Sequence, residues 1–424
     1  MSRRVGVEAE DLGRLTRRLW PDGPDSPVLV SRSPLPETHV TLESYAVVPS
    51  AQRPRYLVPL RSPRSVLAAA YRLPHSSLVR RGTRLTAGVG TVAWSHLGRD
   101  RLYVGIARSV PPERWTEHLL LRRIAAELDP SDPSDPSHPA DPSDIVALLP
   151  VRRVMPTTKP ILRLFDRRGR SLGFAKVGWS TATRRVVGNE VKVLRGLRGR
   201  LQHLQVPSVL GSGELAGNTY LVTTPAPSPM RVWSRPPQAC AWLLTDVARS
   251  GGLTVETLSA SRFRARILAE LDAAQAGAPT LVDLLRTWLL SAPGTVDLEF
   301  GRWHGDWTRW NVVEADGAAL AWDWEFSEPS VPVGFDLLHW HFQQSLAQPH
   351  GSLDAAAHAV YAAAPALAAV GVQPARRRLV ASLYLIEILT RACRLNAQGG
   401  GWNPRVFPDA LEVAAACVRE DRER

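Results

Sequence analysis

Short apolar or alternating runs crowd together between residues 145 and 177. Ile145-Val146-Ala147-Leu148-Leu149, Ile161-Leu162-Arg163-Leu164-Phe165 and Leu172-Gly173-Phe174-Ala175-Lys176-Val177 are separated by turn-forming residues, among them Arg168-Gly169-Arg170. They predict an antiparallel meander. The period then changes. Val187, Val191, Leu194, Leu197 and Leu201 fall on one face of a helix predicted from Arg184 to Leu201. Tyr220-Leu221-Val222-Thr223-Thr224-Pro225 reads as a further strand running into a Pro-rich segment. Residues 230–300 read as mainly helical, as do 335–347, 352–370, 375–397 and 405–422. Near the start, Tyr45-Ala46-Val47-Val48 and Tyr56-Leu57-Val58-Pro59-Leu60 read as strands. Ser62-Pro63 opens a predicted helix over 64–72, and Glu117 to Leu128 is an amphipathic helix. Strands gather early and helices late, which predicts an α+β fold.

One stretch breaks these patterns. Asp129-Pro130-Ser131 recurs as Asp132-Pro133-Ser134, Asp135-Pro136-Ser137 and Asp141-Pro142-Ser143. Closely spaced prolines among small polar residues build neither helix nor buried strand. Four segments are therefore expected: an N-terminal α+β extension of open role over 1–126, a linker or loop insertion over 127–144, a strand-rich lobe over 145–229, and a helical lobe over 230–424.

Composition narrows the classes. The 424 residues carry a formal net charge of +12. Only Lys159, Lys176 and Lys192 are lysines, and the arginines are scattered. That bias makes the charge weak ground for nucleic-acid binding, although it would suit an anionic nucleotide. Cys240, Cys393 and Cys417 lie far apart, with neither disulfide-framework nor metal-site spacing. No apolar segment follows Met1-Ser2-Arg3-Arg4, so no signal peptide is expected. The longest apolar run, 355–372, is mostly alanine and contains His358 and Pro365. It suits a soluble helix better than a membrane span, and a cytoplasmic protein is expected.

The chemistry concentrates at His304-Gly305-Asp306-Trp307-Thr308-Arg309-Trp310-Asn311 and Asp323-Trp324-Glu325. Asn311-Val312-Val313-Glu314, the turn Asp316-Gly317 and Ala319-Leu320-Ala321-Trp322 predict a hairpin that returns Asp323 beside Asn311. One acid can then orient a hydroxyl, while an amide and a second acid offer oxygens to a hard cation. Upstream, Lys176 alternates into the middle of a strand. Glu190 falls on the apolar face of the following helix, where a carboxylate is costly to bury without a partner.

These residues resemble the aminoglycoside phosphotransferase and choline kinase family, a branch of the protein-kinase-like fold. The family carries a His-Gly-Asp-x-x-x-x-Asn loop and an Asp-x-Asp/Glu motif after a hairpin. The resemblance covers roughly 145–424. It implies two lobes, a small antiparallel β lobe and a large helical one, with a hinge at Tyr220 to Pro225. It implies Asp306 as catalytic base, His304 as a brace for the loop, and Asn311 and Asp323 as magnesium ligands. Glu325 ranks behind Asp323, for a second metal or a substrate amine. Asp336 is implied to pack back on the loop, and Lys176 to pair with Glu190 on the nucleotide phosphates. Arg309 is a candidate to stabilise the transferring phosphoryl group, with a surface ion pair as its plainer role.

The phosphate-covering loop departs from the family. Val154-Met155-Pro156-Thr157-Thr158-Lys159-Pro160 has no glycine-rich pattern, and leaves Thr157, Thr158 and Lys159 as candidates. Trp307 and Trp310 are expected to pack, with an acceptor-stacking wall as the alternative. The expected activity is transfer of the γ-phosphate of ATP, or GTP, with Mg2+, to a small-molecule hydroxyl acceptor: a sugar, an amino alcohol or an aminoglycoside-like compound. Eight acidic against nine arginine residues over 335–424 speak mildly against a polycationic acceptor. The alternative is a catalytically weak nucleotide-binding pseudokinase or scaffold. No membrane partner is expected, and oligomeric state is unreadable.

Overall fold

A computed structural model describes residues 9–21, 23, 25–60, 100–128, 145–227, 230–233, 235–315, 317–401 and 409–423. The helix expected at 64–72 and the Asp-Pro-Ser repeats lie outside them. The chain divides into two compact units, Met1–Val187 with Val209–Ala226, and Gly188–Ser208 with Pro227–Arg424.

The first unit is built on one antiparallel sheet. Helix α1 (Ala9–Leu19) precedes β1 (Val28–Ser31), β2 (His39–Val48), β3 (Tyr56–Pro59) and β4 (Arg101–Ala107). Helix α2 (Leu120–Glu127) follows, then β5 (Val146–Pro150), β6 (Ile161–Phe165) and β7 (Ser171–Gly178). Helix α3 (Thr181–Leu197) leads to β8 (Leu204–Gln205), β9 (Val209–Leu215) and β10 (Asn218–Thr223). The sheet order is β1-β4-β2-β3-β5-β6-β7-β10-β9. The meander is present as expected, but it does not stop at β5. Leu57 of β3 pairs with Leu149 of β5, so strands on either side of the Asp/Pro/Ser-rich stretch share one sheet.

Around β5 both faces of this sheet are buried, which explains the near-continuous apolar run of that strand. On one face, Leu12, Leu15 and Leu19 of α1 and Ile124 of α2 join Leu57, Leu149, Leu162, Val177 and Tyr220 in a single core. The alternate residues Val58, Val146, Leu148 and Phe165 form a second cluster. Each buried leucine contributes about 1.5–3 kcal/mol. The units therefore differ from the expected segments: 1–126 and the strands after 145 belong together. Helix α3 also ends four residues before the predicted Leu201, near Gly199 at φ +72°. A left-handed glycine is a common helix stop.

The second unit is largely helical. Its helices are α4 (Ala241–Ser250), α5 (Arg262–Ala274), α6 (Pro279–Ser291), α7 (Phe335–Leu346), α8 (Leu353–Ala363), α9 (Pro374–Leu395) and α10 (Ala410–Arg422). Residues 230–300 are mainly helical, as expected, but not wholly so. They contain β11 (Met230–Val232), β12 (Thr254–Thr257) and the start of β13 (Asp297–Trp303). Strands β11, β14 (Val312–Ala315), β15 (Ala318–Ala321) and β8 form one small sheet. Strands β12, β13 and β16 (Glu328–Pro332) form another. The centre of the unit is α9, whose residues from Val380 to Arg391 are all buried, the charged Glu387 and Arg391 included. Among the described residues one stretch, Leu353–Val370, has the length and composition to cross a membrane. It comprises α8 and a following 3₁₀ segment, and Ala356, Ala357, Val360 and Leu367 are buried within the fold.

Candidate active site

Strand β13 delivers the chain into the loop His304–Asn311, and β14 and β15 fold back beside it. Val312 pairs with Ala321, and the Trp322 amide donates to the Asn311 carbonyl at 3.1 Å. The hairpin thus sets residue 323 next to Asn311, as its turn chemistry predicts. Two backbone features shape the site. Gly305 has φ +84°, and a Cβ there would sit 2.2 Å from the Phe326 carbonyl oxygen, so only glycine fits. Asp323 is itself left-handed, at φ 71° and ψ 51°. Such a conformation in a non-glycine residue costs energy and clusters at functional sites.

Each polar group of the loop has a defined partner. The Asp306 amide donates to His304 Nδ1 at 3.2 Å, so the ring proton sits on Nε2 and is donated to the Trp322 carbonyl at 3.0 Å. His304 therefore ties the loop to the hairpin. Its ring packs against Trp324 with centroids 4.4 Å apart. Burial drives its pKa down to about 4, against the opposing pull of Asp306 and Asp323. Asp336, in the first turn of α7, accepts the His304 amide at 2.7 Å and the Gly305 amide at 3.1 Å. It does pack back on the loop. Burial pushes its carboxyl up to about 7, resisted by those two hydrogen bonds and by the charge of Arg391.

Asp306 is the loop's partly open acid, its side chain 25% exposed. Asn311 Nδ2 donates to Asp306 Oδ2 at 2.7 Å and to the Asp306 carbonyl at 3.0 Å. Both amide hydrogens are thereby spent, and the Asn311 oxygen is left to bind something else. Burial acts to raise the Asp306 pKa. The hydrogen bond from His339 leads the opposing contributions, and the acid lies below its usual range. Where the hairpin ends, Glu190, Asp323 and Glu325 bring carboxylate oxygens within 4.8 Å of one another. Asn189 braces that corner by donating to the carbonyls of Glu325 and Ser327, each at 3.0 Å. Carboxylate and amide oxygens are the donor set of a hard divalent cation, so these residues fit magnesium.

His304, Asp306, Asn311, Asp323 and Glu325 are thus gathered in the second unit, and Glu190 joins them. Arg309 is exposed and makes no ion pair among the described residues. Trp307 is fully buried and packs edge-on against His304, whereas Trp310 is 47% exposed. Lys176, Thr157, Thr158 and Lys159 belong to the first unit. Lys176 is half-buried on β7, an interior strand between β6 and β10. The Thr158 hydroxyl accepts from the Met155 amide at 2.9 Å and donates to the Arg153 carbonyl at 3.0 Å, so it closes its own loop. Thr157 is exposed.

Three functional neighbours escape the sequence pattern. His339 Nε2 lies 3.1 Å from Asp306 Oδ1, and Tyr384 Oη lies 2.9 Å from His339 Nδ1. Arg391 donates to the Gly305 carbonyl at 2.7 Å, and its guanidinium lies 4.7 Å from each of the Trp303 and Phe326 ring centroids. Spacing offered a signal. His339 is three residues after Asp336 on one helix, and Arg391 is seven after Tyr384 on another, so each pair shares a face.

No family model matches the chain, and no curated protein matches it. Solved structures do resemble it. A thermostable mutant of aminoglycoside phosphotransferase APH(4)-Ia, in ternary complex with ADP and hygromycin B, is 16% identical, with a TM-score of 0.40 over 65% of this chain and 94% of that one. An amicoumacin kinase, hAmiN, in complex with AMP-PNP, Ca2+ and Ami, is 13% identical, with a TM-score of 0.39 over 67% and 89%. A glucosamine kinase in complex with glucosamine, ADP and inorganic phosphate is 17% identical, with a TM-score of 0.33 over 95% and 96%.

Proposed function

We propose that this chain is an ATP- and magnesium-dependent phosphotransferase that moves the γ-phosphate to a hydroxyl of a small molecule, with Asp306 as the base. The observation that carries the reading is the double hydrogen bond from Asn311 to Asp306. It fixes a partly exposed carboxylate and frees an amide oxygen beside a hairpin that supplies Asp323 and Glu325.

Phosphoryl transfer needs alignment and charge neutralisation more than covalent help. Asp306 accepts the hydrogen bond of the acceptor hydroxyl, aims its oxygen in line and takes the proton late. Each Asp306 oxygen already accepts one hydrogen bond, which leaves each with capacity for another. His304, Asp336 and Arg391 hold the loop backbone, so little rearrangement is needed as the reaction proceeds. Asn311 and Asp323, with Glu325 and Glu190 in reach, would hold magnesium, which when bound supplies positive charge to the phosphate oxygens. Arg309 is exposed on the same loop and is assigned to the transferring group. Lys176, Thr157, Thr158 and Lys159 stay assigned to the nucleotide by resemblance alone.

The acceptor class is tested by incubating purified protein with ATP, magnesium and a library of sugars, amino alcohols and aminoglycosides, and reading phosphorylated products by mass spectrometry. One or more hydroxylated compounds gaining a phosphate supports the reading. No product from any member, and no ATP hydrolysis above a no-protein control, counts against it.

A further inference from the structure

We infer that His339 is a positioning residue for Asp306, and that Tyr384 holds its imidazole in the one neutral tautomer able to donate to the Asp306 carboxylate. This rests on the proposed role of Asp306 and adds two residues to it.

His339 is 2% exposed, and its two ring nitrogens each face one polar atom. Nδ1 lies 2.9 Å from Tyr384 Oη, and Nε2 lies 3.1 Å from Asp306 Oδ1. Tyr384 is completely buried, and among the described residues its hydroxyl has no other hydrogen-bond partner than Nδ1. A buried hydroxyl proton left undonated is costly, so Tyr384 donates and Nδ1 accepts. A neutral ring that accepts at Nδ1 carries its proton at Nε2. That proton points at Asp306. The opposite tautomer would set the bare Nε2 lone pair against the Asp306 carboxylate and leave the buried Tyr384 proton without an acceptor.

The charged ring is disfavoured as well. His339 sits among Trp303, Phe342 and Tyr384, with ring centroids 6.0–6.3 Å away. Burial lowers its pKa, and the Arg391 charge from α9 adds to this, against the pull of Asp306. Asp306 is thereby gripped from two elements: Asn311 holds Oδ2 from its own loop, and His339 holds Oδ1 from α7. A carboxylate held at both oxygens cannot rotate about its last side-chain bond without breaking a hydrogen bond. That is the property a base needs to meet a hydroxyl in one geometry.

The test uses the full-length protein in two measurements. Long-range proton–nitrogen NMR on histidine labelled with ¹⁵N, with His339 assigned by the signal missing from His339→Gln, should show Nε2 protonated and Nδ1 bare. A ring protonated at Nδ1, or at both nitrogens at neutral pH, overturns the inference. In kinetics, with transfer to an acceptor or to water as readout, His339→Leu should lower kcat on the order of 10²-fold with the KM for ATP unchanged. His339→Gln, whose amide can still donate to Oδ1, should recover a substantial part. Equal rates in the two variants, or losses that merely follow a lower unfolding midpoint, overturn the positioning role alone. Absence of transfer by the wild-type protein removes the role of Asp306 itself, a failure distinguishable from the first.

Discussion

At the scale of single residues, the loop is held by groups whose ionisation opposes one another. His304 is neutral when folded, with its pKa lowered from 6.5 to about 4. The unfolded chain therefore takes up the proton first. The stability His304 contributes is fully present above pH 6.5 and is lost as pH falls towards 4, by up to roughly 3 kcal/mol. Asp336 has the opposite sign: with its pKa raised to about 7, its folded state loses stability as pH rises through that value. The two windows overlap, so a bare pH–stability curve would blur them. The difference in unfolding free energy between wild type and His304→Gln cancels the Asp336 share. That difference should shrink as pH falls from 6.5 to 4.5, and a pH-independent difference would contradict the neutral, buried His304. Gly305 offers a sharper residue-level test. Gly305→Ala must strain a backbone at φ +84° and meet the Phe326 carbonyl, for a cost of about 1–3 kcal/mol from the strain alone. An unchanged melting midpoint would show that the loop is built differently. The clustering of His304, Asp306, Asn311 and Asp323 was legible in the sequence because one loop and its hairpin carry all four. His339, Tyr384 and Arg391 were not, because tertiary packing brings them to the loop from helices 33 to 86 residues further along the chain.

At the scale of elements, alternation identified β5, β6 and β7, and turn chemistry identified the β14–β15 hairpin. The strands within 230–300 were missed although β13 carries the signal: Leu298 and Phe300 are buried while Glu299 between them is exposed. Surrounding helical periodicity masked a seven-residue strand. The energetics of this scale centre on α9, which carries a buried run of charges. Arg266 of α5 pairs with Glu387 and Arg394 pairs with Glu270 of α5, while Arg391 reaches the Gly305 carbonyl of the His304–Asn311 loop. Arg391→Met should remove a charge-assisted hydrogen bond and two ring contacts, at a cost of roughly 2–3 kcal/mol in chemical denaturation. Arg391→Lys should not restore it, because an ammonium lacks the planar face that lies between two rings. Full rescue by lysine would show that charge alone matters there.

At the scale of the whole molecule, the chain does not divide where its low-complexity stretch suggests. Strand pairing across residues 129–144 leaves no local mark, because β3 and β5 meet through a sheet rather than through adjacent sequence. Leu12, Leu15 and Leu19 share a core with Leu149, Leu162 and Val177. A chain beginning at residue 127 should therefore lose its fold in the strand-rich unit and aggregate or bind hydrophobic dyes. A soluble, cooperatively melting protein from that truncation would show the first 126 residues to be an independent appendage. The acceptor stays illegible at every scale, because the role proposed for the loop concerns phosphate transfer and leaves open what receives it. The central claim is the role of Asp306, and its most direct test is γ-phosphate-labelled ATP with magnesium, comparing wild type and Asp306→Asn at matched melting midpoints. The account predicts labelled product or labelled phosphate from wild type and a loss of about 10²–10⁴-fold in the variant. Label movement that survives Asp306→Asn undiminished would contradict it.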